Sequence, residues 1–519
     1  MAGPSLWNTM TKPPIFRYER PANLALVKTP TLSVAIITAC RDGQEKLDFL
    51  MASLAAQTYP RNLVSVHVID DGSEIPIVIP AIAPKKSRVI RYKNTQSSWG
   101  KTAATNDVTA TIKADVYWFV DADMIFEKEH LAHHMKWHHN GDDFAVLGWK
   151  RFVQHWKYSP QAAFEMINFG KFAEMHAESW GKDLWEQRIE RTSELLHPAL
   201  DGYRSFVGAT FSIKSILWRK LGGYRRELVT GEDTELGWRL FMEGIRILPE
   251  RSALSWHLGY STVESNKELI DRHNQPSLAQ YIPEMKKTRA RATNSWVIPT
   301  YEAIIDVRAC NLQQLKSICS RLTSLPGTQA NFILLGSWSQ LKKRYSPVSD
   351  KYADLREIMN WLKSESNFTF EEVGEENLEI GNILSRFTNS PIPFHLFIEG
   401  DFEGDFDGKQ LCDYLLANEY GMVGLATKAD RRAFALFQPA LARSISTPGS
   451  IYQNLSATWG VLWLTHESFI EINSGSKFRR ARLVNFLKRE GKKVNSPQQL
   501  LIFIKKLIIL LLLKALKRS

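Results

Sequence analysis

From residue 31 onward the chain alternates short β-branched apolar runs with helically spaced stretches, and this alternation restricts the fold more than any other feature. Residues 31–39 (TLSVAIITA) and 63–70 (LVSVHVID) are continuous apolar runs, the pattern of strands covered on both faces. Residues 88–92 predict a third strand and 116–120 a fourth, with helical spacing at 47–57 and 102–113. Strand, helix and strand in turn predict βαβ units around a mostly parallel sheet, an α/β fold. In such sheets ligands bind beyond the carboxyl ends of the strands. Two acidic clusters lie there: Asp70-Asp71-Gly72-Ser73 after the second strand and Asp121-Ala122-Asp123 after the fourth.

Two carboxylates two positions apart at a strand end can point into one cleft, and a hard divalent cation takes oxygen ligands of that kind. Alone, the pair reads better as an ordinary turn; the preceding strand, the upstream Asp-Asp-Gly-Ser and the downstream Glu-Asp change that. Gly231-Glu232-Asp233 precedes a helix predicted at 234–244. Acidic groups there meet the positive end of the helix dipole, and a carboxylate so placed can also serve as a general base. His257 follows apolar stretches at 245–248 and 253–255. A single His is ordinarily structural; beside an acidic cleft it is a candidate ligand, because imidazole suits Mn²⁺ better than Mg²⁺. Five further histidines (His130, His133, His134, His138, His139) read as an ordinary surface helix, since no cysteine accompanies them.

With these residues in place, residues 31–265 resemble a family 2 glycosyltransferase with the GT-A fold, the Rossmann-like fold of nucleotide-diphospho-sugar transferases. The resemblance rests on SVAIITACRDGQEKLDFLMASLAAQTYP, VHVIDDGS, the run from Lys101 to Asn106, WFVDADM, FVGATFSIKSILWRKLGGY and GEDTELGWRLFMEGIRI, in that order. It implies that Thr38, Ala39, Asp70, Asp71, Lys101, Asn106 and Asp121 bind the nucleotide. It implies that Asp121, Asp123 and His257 hold Mn²⁺ or Mg²⁺, and that Asp233, with Glu232 beside it, deprotonates the acceptor hydroxyl. The implied enzyme moves a sugar from a nucleotide-diphosphate donor, most often a uridine one, to a glycan or glycolipid, with inversion, in cell-envelope polysaccharide synthesis. Thr38-Ala39-Cys40-Arg41 replaces the family's usual Pro-Thr-Tyr-Asn, and no Gln-x-x-Arg-Trp follows the Glu-Asp helix, which argues against long homopolymer synthesis. A retaining transferase, another nucleotide-bound donor, or a non-catalytic scaffold of two decayed domains stay as alternatives. The intact acidic clusters speak against the scaffold.

A boundary is expected in the basic polar stretch 286–294, dividing an arm (1–30) and a catalytic domain (31–285) from a diverged second GT-A-like domain (295–495). There VIPTYE (297–302) resembles the family start, Gly336-Ser337-Trp338-Ser339 stands for Asp-Asp-Gly-Ser, and Glu399-Gly400-Asp401 stands for Asp-x-Asp. The basic run 479–489 is placed where Gly-Glu-Asp should be, so this copy is expected to be inactive.

Residues 477–519 hold thirteen Lys and Arg against one acidic residue, while the other 476 residues carry a net charge of −1. The apolar run 500–513, with Lys505 and Lys506 inside it, is shorter than the ~20 residues of a membrane span. Lys506, Lys514, Lys517 and Arg518 fall on one helical face, so 496–519 predict an amphipathic helix on an anionic membrane surface. No nucleic-acid signature accompanies the charge. The four cysteines are too scattered for a disulfide framework, and the N-terminal residues show no apolar leader. These features predict a cytoplasmic protein, peripheral on the inner membrane face; a homo-oligomer stays open.

Overall fold

The structure is a computed structural model and describes residues 24–95, 98–153, 156–175, 184–195, 200–259, 265–292, 296–374, 378–387, 391–402 and 407–474. The tail 496–519 and the run 479–489 lie outside the described residues, as do residues 1–23 of the arm. No described helix is long and apolar enough to cross a membrane.

The fold is mixed α/β, as the alternation predicts, with two sheets. The first holds β1 (Val34–Cys40), β2 (Val64–Asp70), β3 (Ser87–Arg91), β4 (Val116–Val120), β5 (Met124–Phe126), β6 (Phe144–Val153), β7 (Thr210–Lys214) and β8 (Arg246–Leu258). Their order across the sheet is β3-β2-β1-β4-β7-β6-β8-β5. β1, β2, β3 and β4 are parallel neighbours, and β7 enters antiparallel between β4 and β6.

β1 shows why this sheet needs helices on both faces. Val34 and Ile36 face a core shared with Leu47, Leu50, Met51 and Leu54 of α1 (Gln44–Ala55). Ala35 and Ile37 face the opposite core, shared with Ala104 and Val108 of α2 (Gly100–Thr111). Side chains alternate across a strand, so an uninterrupted apolar run demands two covers.

The segments 245–248 and 253–255, which look separate in sequence, are one strand. β8 pairs in parallel with β6 in two stretches, Gly148 opposite Glu250 and Trp149 opposite Leu254, so residues 251–253 bulge out between them. A bulge bends its strand and re-aims the residues beyond it. Here the far half of β8 turns to pair with β5, Met124 opposite His257, one residue from Asp123.

α3 (His130–His138) differs from the expected surface helix. His130, His134 and His138 are fully buried, the first two beside Trp118. Ser212 and Thr210 of β7 each meet ring nitrogens, one on each imidazole, which offsets part of the cost of leaving water.

The second sheet holds β9 (Tyr301–Asp306), β10 (Ala330–Gly336), β11 (Phe368–Glu372), β12 (Phe394–Glu399), β13 (Met422–Ala426), β14 (Arg432–Phe437) and β15 (Val461–Thr465). Its order is β11-β10-β9-β12-β14-β13-β15. Strand for strand, including the antiparallel β14, this repeats seven positions of the first sheet. The topology corrects two alignments drawn from sequence. VIPTYE lies at the start of β9, not at its carboxyl end, where Val307-Arg308 stands. The helix before the last strand is Ile451–Thr458 with Ser450 as its N-cap, so Ser450-Ile451-Tyr452, not 479–489, occupies the Gly-Glu-Asp position.

The basic stretch at the boundary is not a solvated linker. Lys286–Arg289 is helical and Arg289 is fully buried, donating to the carbonyls of Ala279 and Ile298 at 2.7 and 2.9 Å. The halves are also joined by α7 (Glu232–Met242), which follows α4 (Pro160–Asn168), α5 (Leu184–Arg191) and α6 (Ser215–Leu221). Trp238, Phe241 and Met242 belong to the same core as β9–β15, and Phe241 meets Phe437 edge-on at 5.9 Å.

Candidate functional site

The carboxyl ends of β1 and β4, the start of α2, the start of α7 and the end of β8 open on one cleft of about 1470 Å³. Small-molecule sites commonly measure ~300–1,000 Å³, so this one has room for two reactants.

Asp121 and Asp123 occupy the turn between β4 and β5, fixed by backbone bonds from Asp121 N to Ala209 O (3.1 Å) and from Leu258 N to Asp123 O (2.9 Å). The second bond ties the turn to the re-aimed half of β8. As a result one ligand atom each from Asp121, Asp123 and His257 lie within 4.8 Å of one another. His257 Nε2 stands 3.4 Å from Asp123 Oδ1. Its Nδ1 faces the carbonyl of Gly259 at 3.2 Å. With Nδ1–H donated there, Nε2 presents a lone pair to the carboxylates. Two carboxylates and an imidazole suit Mn²⁺ and fit a divalent cation.

Two lysines hold these carboxylates. Lys101, at the start of α2, donates to Asp121 Oδ1 at 3.0 Å and lies 3.4 Å from Glu232 Oε1. Burial pulls the Lys101 ammonium down, but Asp121 and Glu232 outweigh it and hold its pKa well above the usual range. Burial pushes Asp121 up, yet Lys101 and His257 bring it below the ordinary carboxylate range. Glu232 goes the other way: burial, with Asp233 beside it, raises it against the pull of Lys101. Lys46, on α1, reaches Asp123 Oδ2 at 3.3 Å and the carbonyl of Leu258 at 3.1 Å. No motif marks Lys46; only the folding of α1 over the β4 turn brings it in.

Asp233 faces this group across the cleft. Gly231 takes a left-handed conformation (φ +78°), which turns the chain into α7 with Glu232, Asp233 and Glu235 in the first turn. Asp233 Oδ1 accepts from Thr234 N at 2.6 Å and Oδ2 from Gly208 N at 3.1 Å. Each oxygen keeps lone-pair capacity toward the cleft.

Of the sequence-derived candidates, Ala39, Lys101, Asp121, Asp123, Glu232, Asp233 and His257 line the cleft. Asp70 does not. Its carboxylate accepts from Ser73 N and Ile77 N and pairs with Arg91, stapling the loop after β2. Asn106 does not line the cleft either: its amide closes a two-way bond with the backbone of Tyr224, at 2.7 and 2.9 Å. Thr38 and Asp71 lie behind the lining. Thr38 Oγ1 and Asp71 Oδ1 are buried without a hydrogen-bond partner among the described residues. Residues that sequence reasoning missed are Lys46, Lys150, Arg188 and the helix Lys267–Tyr281, which leans over Gly231 through Asn274.

Residues 33–185 match the family described as Glycosyl transferase family 2. The match covers β1 to β6 and both acidic clusters, where the resemblance in the sequence lies. Among curated proteins, no sequence matches this chain. Solved structures with a similar fold include a mannosyltransferase from Pyrobaculum calidifontis in complex with GDP-Man and Mn²⁺ (16% identity, 54% of this chain and 70% of that one, TM-score 0.33). Another is residues 1–349 of TarS from S. aureus with UDP-GlcNAc (14%, 51% and 69%, TM-score 0.33). A third is GalNAc-T7 with UDP, GalNAc and Mn²⁺ (14%, 44% and 44%, TM-score 0.30). Scores this low carry no inference about what this chain binds.

Proposed function

We propose that this chain, a family 2 glycosyltransferase over residues 33–185, moves a sugar from a nucleoside-diphosphate donor to an acceptor hydroxyl, with inversion and without processivity. The observation that carries the reading is the convergence of Asp121, Asp123 and His257 at one end of a cleft whose other wall presents Asp233. A divalent cation held there would neutralise the charge of the leaving diphosphate. Lys101 and Lys46, already on the same carboxylates, would add positive charge around the diphosphate. Asp233 would take the acceptor's proton as the acceptor oxygen bonds to the anomeric carbon. The bond from that carbon to the diphosphate breaks, its electron pair leaving with the nucleotide. Backbone donors from Gly208 and Thr234 keep Asp233 aimed until then.

The donor base and sugar are not specified by these residues; the family resemblance makes uridine diphosphate the first nucleotide to try. The glycan or glycolipid nature of the acceptor and the peripheral position on the inner membrane face rest on the sequence, the latter on the tail. Two substitutions test the core of the reading. Asp123→Ala should abolish turnover and remove any tightening of nucleotide binding by Mn²⁺, measured by calorimetry. Asp233→Asn should keep nucleotide affinity and lose about 10²-fold or more in turnover, the scale of a general base. A collapse of nucleotide affinity in Asp233→Asn, or full activity in Asp123→Ala, would overturn these roles.

A further inference from the structure

The cleft extends beyond Asp233. Its far walls are α5, the turn Gly202–Ser205 and the helices Lys267–Tyr281 and Lys286–Arg289. Five cations line this end, Arg188, Arg204, Lys267, Lys286 and Lys287, against two carboxylates, Asp271 and Glu284. Both carboxylates are engaged. Lys267 Nζ donates to Asp271 at 2.5 Å. Glu284 Oε2 accepts from Tyr203 Oη at 2.9 Å and from Arg204 Nη2 at 2.8 Å. Arg188, Lys286 and Lys287 are thus left without a salt bridge among the described residues. Asp201, the other carboxylate near Arg188, is bridged to Arg191 at 2.7 Å.

These unpaired cations share one neighbourhood. Arg188 Nη1 donates to the carbonyl of Arg204 at 2.7 Å, Arg204 reaches Glu284, and Lys286 follows two residues later. Burial, with Arg204 and Arg191 beside it, outweighs Asp201 and Tyr203 and holds Arg188 below the usual guanidinium range. A half-buried guanidinium crowded by two others gains when an anion arrives, because like charges in a partly desolvated wall repel at close range. Guanidinium forks match phosphate oxygens, and a phosphate ester brings up to two charges, closer to three unpaired cations than a single carboxylate does.

We propose that this end of the cleft is a subsite for an acceptor carrying its own phosphate near the hydroxyl that is glycosylated, with Arg188 as the main contact and Lys286 and Lys287 flanking it. The phosphate could be that of a soluble ester or of a lipid headgroup. The inference rests on reading the cleft as a glycosyltransferase site, and the test keeps the two apart. The full chain is first saturated with UDP and Mn²⁺, which fills the acidic end. It is then titrated calorimetrically with glycerol 3-phosphate, with dihexanoyl phosphatidic acid below its micellar concentration, and with glycerol. The expected result is binding of at least one phosphate probe and none of glycerol. That binding should weaken by about tenfold or more in Arg188→Gln and in the double variant Lys286→Gln with Lys287→Gln, the loss of a charge-assisted contact. It should also weaken with added salt. UDP affinity, unchanged in both variants, shows that they fold. Binding of the lipid probe alone would assign the charge to a headgroup, and binding of both would assign it to the ester itself. If UDP does not bind, the reading of the cleft fails. If UDP binds but neither phosphate probe does, or the probes bind the variants as tightly as the unaltered chain, the subsite is refuted alone.

Discussion

Lys101 shows how single side chains set the charge balance of this cleft. One ammonium serves Asp121 of the cation end and Glu232 of the base end, so the two acidic groups approach without both repelling. Elsewhere in the same domain the opposite device is used. His130 and His134 stand with their Nε2 atoms 3.2 Å apart, room for one proton between them. The Ser212 hydroxyl lies 2.8 Å from both His134 Nδ1 and His138 Nε2. Burial pushes His130 and His138 down to about 3, and His134 well below its ordinary range. These rings are neutral in the folded chain at any physiological pH. The unfolded chain protonates them near ~6.5, so as pH falls below that value the unfolded state binds more protons than the folded one and stability drops. Three such groups give a slope of up to about 4 kcal/mol per pH unit between the two ranges. Denaturant midpoints at pH 7, 6 and 5 should fall steeply, and His138→Gln should remove about one proton from the slope. A midpoint independent of pH across that interval would mean the imidazoles are not buried as described.

At the scale of elements, the bulge in β8 decides whether His257 reaches Asp123. Gly148 sits where the pairing shifts, and a Cβ there would come within 2.6 Å of His130 Nε2 and 2.7 Å of Thr210 Cγ2. Gly148→Ala should therefore cost about 1–3 kcal/mol by overpacking, and should weaken Mn²⁺ binding by displacing His257. Thermal unfolding and manganese titration check the two effects. Unchanged metal affinity in a destabilised variant would separate the bulge from the cation site. This bulge is also where the sequence is least legible. β1, β2 and β4 can be read directly because uninterrupted apolar runs end in or beside acidic or polar turns, and so can the start of α7, which glycine and acidic residues mark. The join of 245–248 to 253–255 cannot, because Pro249-Glu250-Arg251-Ser252 breaks the apolar pattern while the strand continues through it. α3 hides from sequence for a related reason: histidine counts as polar in any periodicity, and its burial depends on hydroxyls of Ser212 and Thr210, far along the chain. Asp70 and Asn106 carry the right letters for a nucleotide, yet the local turn at Ser73 engages the first and the distant backbone of Tyr224 the second.

Over the whole molecule, the second sheet repeats the first but closes its own acidic end. Glu399 takes two bonds from the Arg432 guanidinium, at 2.7 and 3.0 Å, and one from its backbone N–H at 2.7 Å; Asp401 pairs with Arg431 at 2.7 Å. Both arginines stand at the β14 end, where the first sheet has Gly208 and Ala209. A cation there would have to displace two guanidiniums. The second half also supports α7. That helix begins at Glu232 and Asp233 in the cleft and ends with Trp238, Phe241 and Met242 in the second core. Gly244, just past its end, lies against Arg443, whose guanidinium bonds Asp143 at 2.9 Å and the Gly244 carbonyl at 3.0 Å. Asp233 is thus positioned from both halves. Phe437→Ala, far from the cleft, should remove a buried ring that backs Phe241 and cost about 3–5 kcal/mol. Because α7 would lose its backing while β1 and β4 keep theirs, turnover should fall further than nucleotide affinity, as shown by comparing rates with UDP titration. Glu399→Gln should change neither. Loss of turnover in Glu399→Gln would mean that the second acidic end takes part in the chemistry, and equal loss of turnover and nucleotide binding in Phe437→Ala would mean that the junction stabilises the first half as a whole rather than aiming its base.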